Sequence, residues 1–204
     1  MAKTTFKALF IDIGGVLLTN GWDRSSREKA ADHFKIDFAE MEKRHALAYD
    51  IYESGKISLQ DYLDLLLFYQ QRPFSAEEFE QFMRSLSQPF PDMLAWVSAL
   101  RKKSGLKCVL LSNEGRDLME YRIEKFELSQ CADFFVCSAF VHLRKPDPAI
   151  YQLPLDLIHA QANQVIYLDD RPLLVETGEK LGFCSLQHIN FETTKKSIEN
   201  LLNL

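Results

Sequence analysis

The sequence has few cysteines and none of the arrangements that give them a metal-binding role. Its four cysteines form no C-x-x-C pair and have no histidines at zinc-finger spacing, which argues against a sulfur-ligated metal. Two of them lie inside apolar runs. This placement favours small buried side chains in a reducing cytoplasm over disulfide bonds.

The sequence also lacks a basic run, a long apolar run and any low-complexity segment. A net charge of -5 predicts no surface for nucleic acid or for anionic membranes. The longest aliphatic run, residues 65–68, is far too short to cross a bilayer. An apolar stretch near the N-terminus is interrupted by Asp12 and ends in no cleavage site, so we interpret it as a buried strand. We therefore expect a cytoplasmic globular protein without a nucleic-acid or membrane partner.

Four short apolar runs predict strands that are buried on both faces of a parallel sheet, because none of them alternates with polar residues. They are residues 8–11, 108–111, 134–136 and 165–168. Segments of helical periodicity lie between the later runs, and a final amphipathic helix is expected over residues 193–204. This alternation predicts an α/β fold with a doubly wound, parallel, Rossmann-like sheet, formed by residues 1–19 and 91–204.

Residues 20–90 break this alternation, because they contain successive helical patterns and no convincing strand. Ser58 can cap a helix with one apolar stripe, and Ser75 with Glu78 forms a capping box before a second helix. We expect two antiparallel helices here. The segment is thus predicted to be an inserted small helical cap domain.

A polar cluster follows each of the four predicted strands. In an open α/β sheet, ligands bind at the carboxyl ends of the strands. Taken singly, each cluster has a structural explanation, such as a helix cap, a turn or a solvated loop. Together they supply a carboxylate, a hydroxyl with an amide, an ammonium group and paired carboxylates: Asp12, Ser112 with Asn113, Lys145, and Asp169 with Asp170. This combination is what metal-assisted phosphoryl transfer requires.

The chemistry assigns each residue type a task. A phosphate monoester repels an anionic nucleophile, so the carboxylate of Asp12 needs a cation that bridges it to the phosphoryl oxygens. Mg²⁺ prefers oxygen ligands, and Asp12, one backbone carbonyl and an acid from the Asp169-Asp170 pair would suffice. Ser112 can donate to the phosphoryl oxygens, and Lys145 supplies positive charge to them. The predicted cofactor is therefore Mg²⁺, and the predicted partner is a small phosphorylated substrate.

The four clusters resemble the four ordered motifs of the haloacid dehalogenase superfamily. They read Phe10-Ile-Asp12-Ile-Gly-Gly-Val-Leu, Leu110-Leu-Ser112-Asn113, Lys145-Pro146-Asp147-Pro and Tyr167-Leu-Asp169-Asp170. The resemblance spans nearly the whole chain. The helical insertion is similar to the C1 cap of that superfamily, and the most similar branch is that of small sugar-phosphate phosphatases, sugar-1-phosphate phosphatases among them.

The resemblance implies a role for each motif residue. Asp12 would form a phosphoaspartyl intermediate. The backbone carbonyl of Gly14 and the carboxylate of Asp170 would bind Mg²⁺, with Asp169 binding the metal or holding its waters. Phosphate would be bound by three side chains: Ser112, Asn113 and Lys145.

Gly14 departs from the family pattern, which usually has a second Asp at this position as general acid and base. Its loss removes assistance worth about 10²- to 10⁴-fold in rate. We favour a phosphatase for substrates with good leaving groups, such as sugar 1-phosphates. A replacement acid could come from Asp23, Glu53 or Glu114, although a solvated charge is the favoured interpretation of each.

Two other functions stay open. A metal-independent haloacid dehalogenase needs no leaving-group acid, but the Asp169-Asp170 pair would then repel the nucleophilic carboxylate. The other open function is binding of a phosphorylated ligand or a partner by a protein that is weakly active or inactive.

Several residues near the cap's edge are candidates for substrate contact, although packing or solvation is the favoured explanation for each of them. Three of them are cap specificity candidates: Trp22, Tyr52 and Glu53. His142 lies three residues before Lys145 and could also contact substrate. Arg171 follows the paired acids and is expected to begin a helix with Pro172.

Overall fold

A parallel sheet forms the centre of the fold. The computed structural model describes residues 6–204, and five strands are assigned within them. These are β1 (Ala8–Ile11), β2 (Lys107–Ser112), β3 (Phe134–Cys137), β4 (Val165–Asp169) and β5 (Cys184–Gln187). Their order in the sheet is β3-β2-β1-β4-β5, and every pairing is parallel. The predicted doubly wound parallel sheet is confirmed.

Strand β1 lies in the middle of the sheet, between β2 and β4. Its four side chains are all buried, as expected for a strand that is covered on both faces. Ile11 pairs with Leu110 on one side and with Leu168 on the other. The chain reverses its direction of winding at β1, and this switch point is where open α/β sheets bind ligands.

The fifth strand was not predicted from the sequence. Residues 184–187 carry a serine and a glutamine and are only partly buried, because β5 lies at the edge of the sheet. An edge strand is covered less completely than a central one, so it shows no continuous apolar run.

Four α-helices follow β1 and form a separate layer above the sheet. They are α1 (Arg24–Phe34), α2 (Phe38–Glu53), α3 (Leu59–Leu63) and α4 (Ala76–Ser85). The predicted caps are present, since Ser58 and Ser75 form capping boxes with Asp61 and Glu78. A π-helical segment, Asp64–Phe68, extends α3. The prediction of two helices was too low, because the polar N-terminal half of this segment also folds into α1 and α2.

These helices enclose an apolar cluster of their own, rich in aromatic side chains. Two short linkers pair with each other where the cluster joins the sheet: Thr19 N–H donates to Gln88 O at 2.8 Å, and Phe90 N–H donates to Leu17 O at 2.9 Å. That residues 20–90 form a separate cap domain stays a prediction. The predicted ends of the cap lie at these two paired linkers.

Six further α-helices follow the cap segment in the chain. They are α5 (Pro91–Ser104), α6 (Arg116–Lys125), α7 (Ser138–Val141), α8 (Pro148–Ile158), α9 (Pro172–Lys180) and α10 (Phe191–Leu202). The last of them matches the amphipathic helix predicted at residues 193–204. Within residues 6–204, no helix has the length and apolar character needed to cross a bilayer. All four cysteines carry free thiols.

His45 on α2 makes the stability of the helical layer dependent on pH. Burial, together with the charge of Arg27, lowers the pKa of His45 to about 4, although Glu42 and Asp50 act in the opposite direction. The unfolded chain, with an ordinary histidine, binds more protons between about pH 4 and 6.5, so stability falls as the pH drops through this range. The imidazole Nδ1 lies 2.8 Å from the Tyr62 hydroxyl.

We expect acidification from pH 7 to pH 5 to cost wild-type protein roughly 2 kcal/mol through His45. His45→Gln removes the titration, so its disadvantage relative to wild type should shrink by this amount at pH 5. Urea unfolding of both proteins at the two pH values measures the difference. An equal gap at both pH values would contradict the prediction.

Candidate active site

Three carboxylates meet at the carboxyl ends of β1 and β4. Asp12 directly follows β1, Asp169 ends β4, and Asp170 comes next. The backbone N–H of Asp12 donates to Leu168 O at 2.9 Å, which fixes the end of β1 against β4. One oxygen from each carboxylate lies within 4.8 Å of the others. The register of two neighbouring parallel strands thus brings together acids that are 157 and 158 residues apart in the chain.

Lys145 neutralises part of this charge from the segment before α8. Its Nζ lies 3.0 Å from Asp12 Oδ1 and 2.7 Å from Asp169 Oδ2. Burial alone would lower the pKa of Lys145, but the two carboxylates outweigh it and raise that pKa, so the ammonium group is charged. The ammonium therefore sits beside the predicted nucleophile.

Asp169 is fully engaged by protein groups. Its Oδ2 also accepts from the Tyr167 hydroxyl at 2.5 Å, and its Oδ1 accepts from the backbone N–H of Arg171 at 2.9 Å. The residue is completely buried. These contacts fix Asp169 as the partner that orients Lys145.

Asp170 has free coordinating capacity. Its Oδ1 is buried without a hydrogen-bond partner among the described residues. Burial and the neighbouring charges of Asp12 and Asp169 raise the pKa of Asp170 to about 6. The carboxylate packs against Gly15, where a Cβ atom would overlap it, and the φ angle of Gly15 is 75°. An unsatisfied oxygen in a cluster of acids is a donor set that fits a hard divalent cation.

The two polar residues after β2 have different contacts. Ser112 is buried and lines the pocket above Asp12. Asn113 forms two hydrogen bonds with the main chain of Lys145: its Nδ2 donates to Lys145 O at 2.9 Å, and its Oδ1 accepts from Lys145 N–H at 2.8 Å. The amide therefore positions Lys145, and the phosphate contact that the resemblance implies for Asn113 stays a prediction.

Gly14 lines the same pocket, and the side chain of Asn20 lies beside it. A Cβ atom at this position would lie 3.0 Å from Asn20 Oδ1. The φ angle of Gly14 is not in the left-handed region, so its backbone would accept a side chain. Position 14 thus carries no acidic side chain. The side chain nearest to it is the amide of Asn20.

The three cap candidates all line the pocket but differ in their contacts. Trp22 Nε1 donates to the Tyr62 hydroxyl at 2.8 Å, so its polar atom is engaged within the cap. Glu53 Oε2 accepts from Arg144 Nε at 3.1 Å and Nη2 at 2.7 Å, and its other oxygen accepts from the Tyr49 hydroxyl. Tyr52 has a buried hydroxyl with no partner among residues 6–204.

The interpretation of Glu53 and Glu114 as solvated charges is wrong, because both are buried. Glu114 Oε1 pairs with Arg122 on α6, and its Oε2 has no partner in the described structure. Asp23 is partly exposed and caps α1, where its side chain accepts from Ser26 N–H. Of the three replacement acids, Glu114 alone combines burial, a place in the pocket and an unengaged oxygen.

The segment between β3 and α8 docks the cap onto the sheet. Arg144 Nη1 donates to Asp50 Oδ1 at 2.6 Å in addition to binding Glu53. Ser138 Oγ donates to Glu53 O at 2.7 Å, and His142 Nδ1 lies 2.9 Å from Ser54 O. The observed contact of His142 is thus with the cap. Arg171 lines the pocket and directly precedes α9, as expected.

The sequence pointed to the acids and to Lys145 but not to the residues that orient them. Tyr167 stands inside a quoted motif and Arg144 directly precedes another, so their positions beside Asp169 and Lys145 were a usable signal. Asn20 and Arg122 had no such signal, because their place depends on how the cap linker folds back over the sheet.

The pocket is small and lies between the sheet and the cap. Its free volume is about 50 Å³. A water molecule needs roughly 10–15 Å³ by this measure, so the free volume in this structure corresponds to a few water molecules.

A family-level match covers most of the chain. The model of the haloacid dehalogenase-like hydrolase family matches residues 6–182. The chain belongs to this family. The resemblance inferred from the four motifs is confirmed, and the protein is a haloacid dehalogenase-like (HAD) hydrolase.

Curated relatives of this HAD hydrolase are much longer proteins. Bifunctional epoxide hydrolase 2 of Rattus norvegicus is 37% identical over 118 residues, which cover 54% of this chain and 20% of the rat protein. Acyl-CoA dehydrogenase family member 10 of Mus musculus is 30% identical over 122 residues, which cover 57% of this chain and 11% of that protein. The chain thus spans a fifth or less of these relatives.

Solved HAD structures share the fold over nearly the full length. A HAD family enzyme of Bacteroides thetaiotaomicron, in complex with magnesium and inorganic phosphate, has a TM-score of 0.76 at 19% identity and covers 90% of this chain and 94% of that one. A predicted HAD-like hydrolase of Porphyromonas gingivalis has a TM-score of 0.78 at 19% identity, covering 98% and 99%. The L-2-haloacid dehalogenase RSc1362 has a TM-score of 0.66 at 20% identity, covering 90% and 86%.

Proposed function

We propose that this HAD hydrolase is a Mg²⁺-dependent phosphatase that hydrolyses a small phosphorylated metabolite through an aspartyl phosphate on Asp12. The proposal rests on one observation: Lys145 and Asp170 flank Asp12 at the switch point of the sheet, and Asp170 Oδ1 has no hydrogen-bond partner among the described residues. The arrangement supplies a nucleophile and a fixed positive charge, with a set of oxygen donors for a metal. The magnesium and phosphate complex of the Bacteroides thetaiotaomicron neighbour supports the same chemistry.

In the first step, Asp12 attacks phosphorus and the bond to the leaving oxygen breaks. The Lys145 ammonium holds phosphoryl oxygens whose negative charge develops in the transition state, helped by the Ser112 hydroxyl. Asn113 and Asp169 keep Lys145 in place through its main chain and its Nζ. Water then attacks phosphorus, which restores the Asp12 carboxylate and releases inorganic phosphate.

Asp12, Asp170 and the backbone carbonyl of Gly14 would hold Mg²⁺, since the acid cluster supplies the oxygen donors that this ion prefers. Bound there, Mg²⁺ supplies positive charge that offsets the repulsion between the nucleophile and the phosphate. Asp169 would lie outside the direct metal ligands, since three protein hydrogen bonds already engage its oxygens.

Gly14 limits the leaving groups that this site can expel. A leaving oxygen that carries little basicity needs little protonation, so sugar 1-phosphates and acyl or aryl phosphates are the preferred substrates. In this proposal the cap opens to admit the substrate and closes to exclude water from the acyl phosphate. The contacts of Arg144 with Glu53 and Asp50 hold the closed form.

A haloacid dehalogenase is the competing function, since dehalogenases are among the structural neighbours. Its nucleophile would attack carbon and needs no metal. The cluster of three carboxylates argues against it, because two acids beside Asp12 without a cation weaken the nucleophile.

A panel of phosphate esters ordered by leaving-group pKa tests the proposal. With Mg²⁺ we expect hydrolysis that falls steeply as the leaving-group pKa rises and that stops in excess EDTA. A flat profile would reveal a hidden acid. Full turnover in EDTA with halide release from a 2-haloacid would replace the proposal by the dehalogenase function. No hydrolysis across the panel, with unchanged ligand affinity in Asp12→Asn, would favour a binding protein.

A further inference from the structure

The space that a side chain at position 14 would enter is occupied by the amide of Asn20. A Cβ atom on Gly14 would lie 3.0 Å from Asn20 Oδ1, 3.5 Å from Asn20 Cα and 3.9 Å from Asn20 Cγ. A carboxyl group at residue 14 would therefore need the space that this amide fills. The family pattern usually has its general acid at this position, where it serves the leaving oxygen. The Asn20 amide thus lies beside the position from which the missing acid would act.

The amide of Asn20 is available to a ligand. Asn20 lines the same pocket as Asp12 and Gly14. It is half-buried, and its side-chain amide forms no hydrogen bond with another residue of the described structure. Asn113 differs, because both polar atoms of its amide bind the main chain of Lys145. The χ2 torsion of asparagine is broad, so its amide can turn either the N–H donors or the acceptor oxygen toward a substrate.

The residues on either side of Asn20 are held in place. Arg122 is fully buried, and its Nη2 donates to Thr19 O at 2.7 Å. Gly21 packs closely on the same group, since a Cβ atom there would lie 3.1 Å from Glu114 Oε1 and 3.5 Å from Arg122 Cζ. Fixed neighbours restrict the backbone of Asn20, so little conformational entropy is lost when its amide binds a reacting group.

We infer that Asn20 is a catalytic residue that takes the place of the missing acid, and that its Nδ2 N–H donates a hydrogen bond to the leaving oxygen. The inference rests on the proposed phosphatase function. As Asp12 forms its bond to phosphorus, the bond from phosphorus to the leaving oxygen breaks and negative charge develops on that oxygen. A hydrogen bond that strengthens with this charge lowers the barrier. The departing oxyanion takes its proton from water, so Asn20 transfers none.

An amide donor differs from a carboxylic acid in a way that kinetics detect. A carboxylic acid gives its proton to the leaving oxygen and cancels the developing charge, whereas an amide offsets only part of it. The rate therefore keeps a steep dependence on leaving-group pKa. The contribution of the amide grows as the leaving oxygen becomes more basic, because that oxygen then carries more charge that needs a donor.

Asn20→Ala with a series of substituted phenyl phosphates tests the inference. These substrates differ little in size, so the cap contacts them alike. With Mg²⁺, we expect kcat/KM to fall about 10-fold for p-methoxyphenyl phosphate and about twofold for p-nitrophenyl phosphate. The value of kcat/KM reports the steps up to departure of the leaving group. The ratio of the two values within one preparation is independent of how much of the protein is folded.

Gln88→Ala is the matched control. It removes an amide from the linker that pairs with Thr19, and this amide donates to Ser85 O at 3.1 Å and does not line the pocket. The ratio of kcat/KM for the two phenyl phosphates should equal that of wild type, even where the melting temperature falls.

Gly14→Asp tests whether positions 14 and 20 serve the same oxygen. In wild type the new side chain competes with the Asn20 amide for space, whereas in the Asn20→Ala background the space is free. Gly14→Asp should therefore raise kcat/KM for p-methoxyphenyl phosphate at least about 10-fold more in Asn20→Ala than in wild type. A double-mutant cycle of kcat/KM values measures this coupling.

Two results would overturn the inference. The first is an Asn20→Ala variant that loses the same factor, or nothing, on every phenyl phosphate, since the amide would then have no contact with the leaving oxygen. The second is an equal effect of Gly14→Asp in both backgrounds, which would show that the two side chains act independently. Wild type that hydrolyses none of the phenyl phosphates with Mg²⁺ would instead defeat the proposed phosphatase function, and the inference with it.

Discussion

Replacing Asp12 by asparagine is expected to reduce turnover of every phosphate ester by at least about 10⁴-fold, as loss of a covalent nucleophile does in other enzymes. The amide cannot form the aspartyl phosphate, whatever the leaving group. Initial rates with Mg²⁺ and p-nitrophenyl phosphate measure the loss. A residual rate within 100-fold of wild type would exclude Asp12 as the nucleophile.

The same substitution is expected to leave the protein folded, which separates chemistry from stability. Burial raises the pKa of Asp12 against the opposing effect of Lys145, so the site already disfavours a negative charge there. A neutral amide of the same shape relieves this cost, and Lys145 keeps its 2.7 Å contact with Asp169. The melting temperature of Asp12→Asn should therefore equal or exceed that of wild type.

Beryllium fluoride gives a second readout that does not depend on turnover. It mimics a phosphoryl group on a carboxylate, and with Mg²⁺ it should form an adduct on Asp12 of wild type that fluorine NMR detects. Asp12→Asn should form none. An adduct in both proteins, or in neither, would count against the phosphoaspartyl route.

The sequence was informative where chemistry and strand ends coincide. The central strands are covered on both faces, so their apolar runs predicted four of the five strands described in residues 6–204. The polar residues that follow them predicted which carboxylates and which ammonium group meet. Parallel strands place their carboxyl ends at one edge, so Asp12, Lys145 and Asp169 could be grouped without coordinates.

The remaining parts of the site depend on packing that no short motif encodes. Asn113 belongs to a motif, yet its amide binds the main chain of Lys145, because that segment passes beside the end of β2. Glu114 was interpreted as a solvated charge. Nothing in the neighbouring sequence shows that Arg122 on α6 is buried beside it. The contacts of Arg144 with Asp50 and Glu53 join residues more than 90 positions apart.

Replacing Lys145 by methionine is expected to damage both activity and folding. The substitution keeps the apolar stem but removes the ammonium between Asp12 and Asp169, so two buried carboxylates lose their counter-charge. Breaking a buried ion pair from one side costs about 3–5 kcal/mol. Turnover of the folded fraction should fall by about 10²- to 10³-fold, because the charge that stabilises the transition state is gone.

Metal and a second substitution distinguish this electrostatic cause from a simple packing defect. Mg²⁺ bound at the acid cluster would supply part of the missing positive charge, so it should raise the melting temperature of Lys145→Met more than that of wild type. Asp169→Asn in the same background removes one of the stranded carboxylates. Because Asp169 then needs no ammonium partner, the double variant should be more stable than Lys145→Met alone, which a double-mutant cycle of urea unfolding measures. If neither Mg²⁺ nor Asp169→Asn restored stability, the acids around Asp12 would not depend on Lys145 for their charge balance. Lys145 would then act beside the nucleophile through the packing of its apolar stem.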